Sequence, residues 1–220
     1  MDAINFVDDY GVPLGVECAW KPLTTLNTRK PVARRTLRIA GFLLLAFGLW
    51  HAGQAAYARA KAELAQVLLA RAWNGTLAGA RGVKPWPWAD TWPIARLVLT
   101  GRGVDLYVLA GADGRAIAFG PGHMYGTAEP GTTGNSVVGG HRDTHLRFLK
   151  DVRRGEAINV QRPDGEWMSY RVTDLRVTDK GDLSPLDPAG PTRLTLITCW
   201  PFDALRPGGP QRYVVTAEAN

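Results

Sequence analysis

From Ile94 to the C-terminus the chain consists of short β-type runs broken by turns, and this pattern constrains the fold more than any other feature. Turn dipeptides such as Asp113-Gly114 and Asp164-Gly165 separate several of the runs. A short helix is predicted over 145–152, where apolar residues recur at helical spacing. The predicted strands are residues 95–99, 105–109, 116–119, 136–139, 157–161, 167–177, 193–198 and 213–217. Eight strands with little helix predict an all-β domain whose antiparallel sheet closes into a barrel and leaves no exposed edge.

The N-terminal part of the chain has a different pattern. Residues 39–58 form an apolar stretch whose only strongly polar side chains are His51 and Gln54. Because a helix rises 1.5 Å per residue, this stretch would cover about 30 Å, the thickness of the hydrocarbon core of a bilayer. Several basic residues stand shortly before it, whereas only Arg59 and Lys61 follow closely. This asymmetry predicts a single-pass helix with its N-terminus in the cytoplasm and the rest of the chain outside.

Two other interpretations of the apolar stretch stay open. Its most apolar part, residues 39–50, has the length of the core of a secretory signal peptide, and Ala56-Tyr57-Ala58 is similar to a cleavage site. A buried helix of a soluble protein is the remaining alternative. The anchor and the signal peptide agree on the location of the β-rich domain, which both place on the far side of the membrane.

These patterns divide the chain into four segments. We expect a cytoplasmic tail over 1–35 and a transmembrane anchor over 36–58. Good helix formers follow, so residues 59–82 are predicted to be a helical stalk or linker. Residues 83–220 are predicted to be the folded β-barrel domain.

The charge of the chain does not indicate a nucleic-acid partner. The formal net charge is +6, but residues 1–82 carry 10 Lys/Arg against 5 Asp/Glu, which leaves 16 against 15 in residues 83–220. The presumptive folded domain is therefore nearly neutral. A nearly neutral domain lacks the positive surface that a phosphate backbone requires.

The cysteine content points to one unpaired thiol. The predicted topology places Cys18 in the cytoplasm and Cys199 outside, so the two cannot form a disulfide within one molecule. A lone thiol in an oxidising compartment must be buried, paired with another chain or reactive. Two cysteines and four scattered histidines also lack the spacing of a zinc site, so no metal or other cofactor is expected.

Three side chains suited to acyl transfer stand at the ends of predicted strands. Cys199 and His141 each follow a strand, and Arg212 precedes the last one. A thiolate is a nucleophile, an imidazole exchanges protons near neutral pH, and a guanidinium is a permanent cation that can bind an oxygen as it becomes negative. Each alone could be a buried cysteine, a surface histidine or an ion-paired arginine. Together they favour thiol-based catalysis.

Three further side chains are candidates for a supporting or substrate-binding role. Thr198 directly precedes the thiol. Asp143 could orient His141 or cap the helix predicted after it. His145 starts that helix and could also face the site. His123, in a Gly-rich loop, is interpreted as structural.

With these residues noted, the chain resembles the sortases, which are membrane-anchored cysteine transpeptidases. Residues 195–199 (TLITC) match the family's TLxTC nucleophile motif, residues 140–145 (GHRDTH) match its histidine segment, and Arg212 matches its essential arginine. Gly139, Leu146 and the first 30 residues depart from the usual pattern, and none of these departures touches the three key positions. Other stretches are similar to the class found in Gram-negative, largely proteobacterial, genomes: 86–88 (WPW), 120–123 (GPGH), 130–135 and 199–203 (CWPFD).

The resemblance implies a closed eight-stranded barrel and a protein substrate with an LPxTG-like C-terminal sorting signal. Cys199 would attack the Thr–Gly carbonyl and form a thioacyl-enzyme, and His141 would protonate the departing amine. Arg212 would hold the oxyanion, together with the Thr198 side chain and a backbone amide after the thiol. An amine acceptor, which the sequence does not identify, would take the acyl group. The enzyme would lie in the inner (cytoplasmic) membrane, with its catalytic domain in the periplasm.

Other functions compete with transpeptidation. The same three residues would make a processing protease if water were the acceptor. A cell-wall L,D-transpeptidase is also cysteine-based and β-rich, but its Ser-x-Gly-Cys nucleophile segment is missing here. A membrane-tethered barrel that serves as an interaction module is the non-enzymatic alternative.

Overall fold

The computed structural model describes residues 31–204, 206 and 208–220, with side chains from residue 35 onwards. The predicted cytoplasmic tail up to residue 30, including Cys18, lies outside the described residues. The chain divides into two compact units, with the boundary between Gly53 and Gln54.

The first unit, where the structure describes it, is helical. Helix α1 runs from Pro31 to Leu77 and crosses the boundary between the units. Its apolar part is long and apolar enough to cross a membrane, and none of that part is buried against protein. The exposed side chains include Phe42, Leu44, Phe47 and Trp50. This exposure does not fit the buried helix of a soluble protein. A membrane anchor and a signal sequence both meet the criteria of length and composition.

In the second unit, the last turns of α1 pack on the domain that follows. The indole N–H of Trp73 donates to Gln161 Oε1 at 3.3 Å. The helix ends at Leu77, and one face of its last turns is buried. The buried residues recur at the three- and four-residue spacing of one helix face: Ala65, Leu69, Ala72, Trp73 and Thr76.

Within the described part of the chain, eight strands form a closed barrel, as the sequence predicts. The strands are β1 Pro93–Leu99, β2 Val104–Ala110, β3 Gly122–His123, β4 Asn135–Gly139, β5 Ala157–Gln161, β6 Trp167–Asp179, β7 Arg193–Trp200 and β8 Gln211–Ala219. Their order around the barrel is β1-β2-β3-β4-β7-β8-β6-β5. Short 3-10 helices lie between strands at Thr100–Arg102, Ala116–Ala118, Arg147–Asp151 and Ser184–Leu186.

The strand predicted at 116–119 is wrong, and the sheet is not wholly antiparallel. Residues Ala116–Ala118 form a 3-10 helix, because the Asp113 carboxylate accepts backbone N–H bonds two and three positions on, at 3.0 and 2.9 Å. The third strand is instead the short β3. Among the described strands, β2 pairs with β3 and β4 pairs with β7 in parallel. The helix predicted over 145–152 is present as the 3-10 helix Arg147–Asp151.

Alternate residues of the strands fill the barrel. In β1, every second residue from Pro93 is buried and the intervening ones are partly exposed. The interior is lined by aliphatic side chains and one tyrosine. Its central members are Leu97, Val108, Val138, Ile158, Val160, Tyr170, Leu194, Leu196 and Val215. The position of a residue in this alternation therefore decides whether its side chain faces the core or the outside.

A close backbone approach at β3 gives a test of the fold. A Cβ added at Gly122 would lie 2.2 Å from the Gly111 carbonyl oxygen. Backbone cannot move aside cheaply, so we expect Gly122→Ala to lower the free energy of unfolding by about 1–3 kcal/mol. Urea denaturation of the full chain in detergent, followed by tryptophan fluorescence, measures this loss.

Gly114→Ala is the matched control for this substitution, because nothing lies within 4 Å of its added Cβ. Equal denaturation midpoints for the two variants would contradict the packing described at β3.

Candidate active site

Strands β7 and β8 place Cys199 directly opposite Arg212. Directly opposite residues of an antiparallel pair have Cβ atoms about 4.5–5.5 Å apart on the same face of the sheet. That face is the outer one, because the preceding pair, Thr198 and Tyr213, faces the core: Thr198 is buried and Tyr213 packs against the barrel interior. Cys199 is a free, half-buried thiol. The barrel thus fixes a nucleophile and a cation side by side.

His141 lies on the turn that follows β4, the other neighbour of β7. The parallel register pairs Gly139 with Ile197, and the N–H of Gly140 continues the ladder by donating to the Ile197 carbonyl at 3.2 Å. His141 is the second residue beyond Gly139, on this turn, and its side chain is exposed. The three predicted catalytic residues therefore come from the ends of three strands that are neighbours in the barrel.

Thr198 holds the histidine turn. Its side chain is 2 % exposed, and Oγ1 donates to the Gly140 carbonyl at 2.8 Å. Both backbone polar groups of Gly140 are therefore bound to β7. A hydroxyl has a single proton to donate. Since Thr198 directs that proton to the turn, it fits a supporting role better than donation to an oxyanion.

Leu146 fills the space beneath the same turn. Its backbone N–H donates to the His141 carbonyl at 3.0 Å, and its side chain is fully buried in the core. A Cβ added at Gly140 would lie 2.9 Å from the Leu146 side chain, so the glycine allows the turn to lie directly over it. Gly140 is thus required by this packing as well as being part of the sequence motif.

The Arg212 side chain is oriented by main-chain carbonyls. Its Nη1 donates to the carbonyls of Gly209 at 3.0 Å and Gln211 at 2.8 Å. A guanidinium carries five N–H donors. In the part of the chain that the structure describes, the Nε and Nη2 donors have no protein partner. They are the donors that can bind a developing negative charge.

Asp143 and His145 differ from each other in their surroundings. Asp143 is exposed, and among the described residues its side chain neither contacts His141 nor caps a helix, so neither expected contact is seen. His145 is half-buried. Burial lowers the pKa of His145, and a charge on His141 lowers it further, so His145 is held neutral near neutral pH. His123, as expected, is structural: it is buried, and its Nε2 lies 2.9 Å from the Ala128 carbonyl oxygen.

Two features next to these residues were missed in the sequence. The first is an aromatic cluster, in which Trp200 stacks on Tyr213 at a ring-centroid distance of 5.4 Å and Phe202 packs edge-on against both. The second is Arg142, whose guanidinium is buried and donates to carbonyls of the loop between β7 and β8. The CWPFD segment signals the aromatic cluster. An arginine gives no local signal of burial.

Comparison with known proteins assigns the family. A family model for the sortase domain matches residues 97–220, which include all of the residues described above for the site. The chain belongs to the sortase family. The predicted family and its closed barrel are therefore confirmed.

Individual sortases are similar over part of their length. Sortase D of Bacillus subtilis (strain 168) is 29% identical over 112 residues, which cover 50% of this chain and 56% of the relative. The chain thus spans little more than half the length of this curated relative. Sortase A from Corynebacterium diphtheriae is 29% identical with a TM-score of 0.53, over 60% of this chain and 63% of the other. Sortase C-1 from Actinomyces oris is 30% identical with a TM-score of 0.52, over 58% and 74%.

Within residues 31–204, 206 and 208–220, no three His, Cys, Asp or Glu side chains converge in a way that could hold a metal ion.

The bond from Thr198 to the histidine turn gives a test of the site. Thr198→Val removes the hydroxyl at nearly constant volume and leaves the Gly140 carbonyl without this donor. We expect a loss of about 1 kcal/mol in unfolding free energy. We also expect Cys199 to react several-fold more slowly with a methanethiosulfonate, because the turn that carries His141 is no longer bound to Thr198.

Thr195→Val is the matched control for this substitution. It removes a buried hydroxyl from the same strand, where Oγ1 donates to Asn135 Oδ1 at 2.8 Å, far from the turn. Equal labelling rates in the two variants would show that Thr198 does not position His141.

Proposed function

We propose that the protein is a membrane-anchored cysteine transpeptidase. It cleaves an LPxTG-like C-terminal sorting signal through a thioacyl-enzyme and transfers the cleaved protein to an amine. The observation that carries the proposal is the pairing of Cys199 with Arg212 across β7 and β8, beside the turn after β4 that bears His141. A nucleophile flanked by a proton carrier on one side and a fixed cation on the other is suited to acyl transfer.

In the first half-reaction the Cys199 thiolate attacks the carbonyl carbon of the Thr–Gly bond. The carbonyl oxygen becomes negative, and the free Nε and Nη2 donors of Arg212 stabilise it. The C–N bond then breaks while the imidazolium of His141 gives its proton to the departing amine. The products are a thioester on Cys199, a neutral His141 and a free peptide amine.

In the second half-reaction an acceptor amine attacks the thioester carbon. Neutral His141 takes the proton that the amine loses, and Arg212 again stabilises the oxyanion. The C–S bond breaks, an amide forms and the thiolate returns. Water in place of the amine would give a free carboxylate, so the same site would then act as a processing protease.

We also propose the location and the class of the enzyme. The apolar part of α1 would span the inner membrane with the N-terminus in the cytoplasm, because the basic residues precede it. The barrel would then work in the periplasm. Membership of the Gram-negative sortase class is supported by the WPW and GPGH segments of the sequence. The division of the chain into tail, anchor, helical stalk or linker, and catalytic barrel also belongs to this proposal.

Substitution of the three residues tests the mechanism. Cys199→Ala should abolish turnover of a sorting-signal peptide, since no thioester can form. His141→Ala and Arg212→Ala should each lower kcat by about 100-fold or more, as is typical for a missing acid/base or oxyanion donor. Arg153→Ala removes an exposed arginine away from the site and serves as the control. Near-normal rates for Arg212→Ala would refute its role at the oxyanion.

Mass spectrometry of the full chain in detergent tests the reaction itself. The protein is mixed with an LPxTG peptide, with and without triglycine, and Cys199→Ala serves as the blank. We expect a thioacyl adduct on Cys199 that passes to triglycine. An adduct that is only hydrolysed would favour the processing protease. No adduct, together with slow methanethiosulfonate labelling of Cys199, would favour the non-enzymatic interaction module.

A further inference from the structure

Arg142 is a buried arginine that has no acidic partner in the part of the chain that the structure describes. It directly follows His141, and its side chain is 7 % exposed. Charged side chains are seldom buried unless they are paired. Among the described residues no carboxylate lies within ion-pair distance of it, although Asp143 and Asp203 border the same surface cleft. The burial of this charge therefore needs another explanation.

The explanation is a set of main-chain carbonyls in one loop. The guanidinium of Arg142 donates from Nη1 to the Gly208 carbonyl at 3.1 Å and from Nη2 to the Ala204 carbonyl at 2.9 Å, with a further bond to the Arg206 carbonyl. These carbonyls belong to the loop that joins β7, with Cys199, to β8. Hydrogen bonds from a charged donor are about twice as strong as neutral ones.

The other described contacts of the loop lie mainly at its two ends. Phe202 packs against Trp200 and Tyr213 at one end, and the Lys180 N–H donates to the Pro210 carbonyl at 2.6 Å at the other. Within the loop, a single backbone bond joins described residues, from the Ala204 N–H to the Pro201 carbonyl at 3.4 Å. Gly208 and Gly209 have φ angles of +80° and +117°, which other residues rarely adopt. Without Arg142, the carbonyls at the centre of the loop would lose these donors.

The same loop orients the other cation of the site. Arg212 donates to the Gly209 carbonyl, and Gly209 directly follows Gly208, which Arg142 binds. A continuous path of contacts thus runs from the residue after His141, through two consecutive peptide units, to Arg212. The strand pairing fixes Cys199 and the backbone of Arg212, but not the direction of the guanidinium.

We infer that Arg142 is a positioning residue of the sortase reaction, which makes its role dependent on the proposed function. Its guanidinium fixes the loop between β7 and β8 to the histidine turn, so that His141 and the Arg212 side chain keep a common position at Cys199. A lysine cannot do the same, because one compact ammonium replaces a planar group with five donors. The role requires the planar arrangement of the guanidinium donors rather than the positive charge alone.

The test compares Arg142→Gln and Arg142→Lys with Arg206→Gln in the full chain. Arg206→Gln is a matched control, because it removes one positive charge from the same loop but keeps the carbonyl that Arg142 binds. We expect both Arg142 variants to lower kcat for peptide transfer by about 10- to 100-fold, the effect of misplaced catalytic groups. The KM of the sorting peptide should change less than about 3-fold. A loss confined to KM, or an unchanged kcat in a folded Arg142 variant, would overturn the inference.

Hydrogen exchange separates this inference from the proposed function, since it needs no substrate. In Arg142→Gln the amide of Ala204, which donates to Pro201, and that of Lys180, which donates to the loop carbonyl of Pro210, should exchange at least several-fold faster than in Arg206→Gln, whereas those of β1 should not change. Arg142→Lys keeps a long apolar stem, so it gives the comparison if the glutamine variant does not fold. Equal exchange in the loop would overturn the inference even if the wild type transfers the peptide. Faster loop exchange would support the role of Arg142 in fixing the loop even if no thioacyl adduct forms.

Discussion

The site depends on the hydrogen-bonded register of three adjacent strands. The antiparallel register of β7 and β8 sets Cys199 against Arg212, and the parallel pairing of β4 with β7 places the turn that bears His141 beside the end of β7. A shift of one residue in either pair would turn a side chain to the opposite face of the sheet. The closed barrel resists such a shift, because every strand is held on both sides and alternate residues are packed in the core.

Register alone brings the backbones together, and local contacts then place the side chains. Thr198 and Gly140 tie the histidine turn to β7, and Leu146 fills the space below it. Two consecutive carbonyls of the loop between β7 and β8 accept hydrogen bonds from the two arginines: Gly209 from Arg212 and Gly208 from Arg142. In the described part of the site, Arg142 and Arg212 thus donate to main-chain carbonyls. A carboxylate beside Arg212 would instead compete with the substrate for the guanidinium donors.

Alternating polarity and turn dipeptides were sufficient to predict seven of the strands and the closed barrel, because these signals are local. They failed at 116–119, where the Asp113 carboxylate binds backbone N–H groups and starts a 3-10 helix within an apolar run. They also predicted antiparallel pairing throughout. Parallel pairs such as β4 with β7 join strands that are distant in sequence, and no local pattern encodes such a partner.

The sequence by itself determined the family: a TLITC segment, a GHRDTH segment and an arginine before the last strand indicated it, and they made Cys199, His141 and Arg212 the candidate catalytic residues. Only the tertiary structure decided how their neighbours act. It directed the Thr198 hydroxyl to Gly140, left Asp143 exposed and buried Arg142 among carbonyls more than 60 positions away in the chain. The physical reason is that a motif fixes which groups are present, whereas a hydrogen-bond partner is fixed by which distant segments the folded barrel brings together.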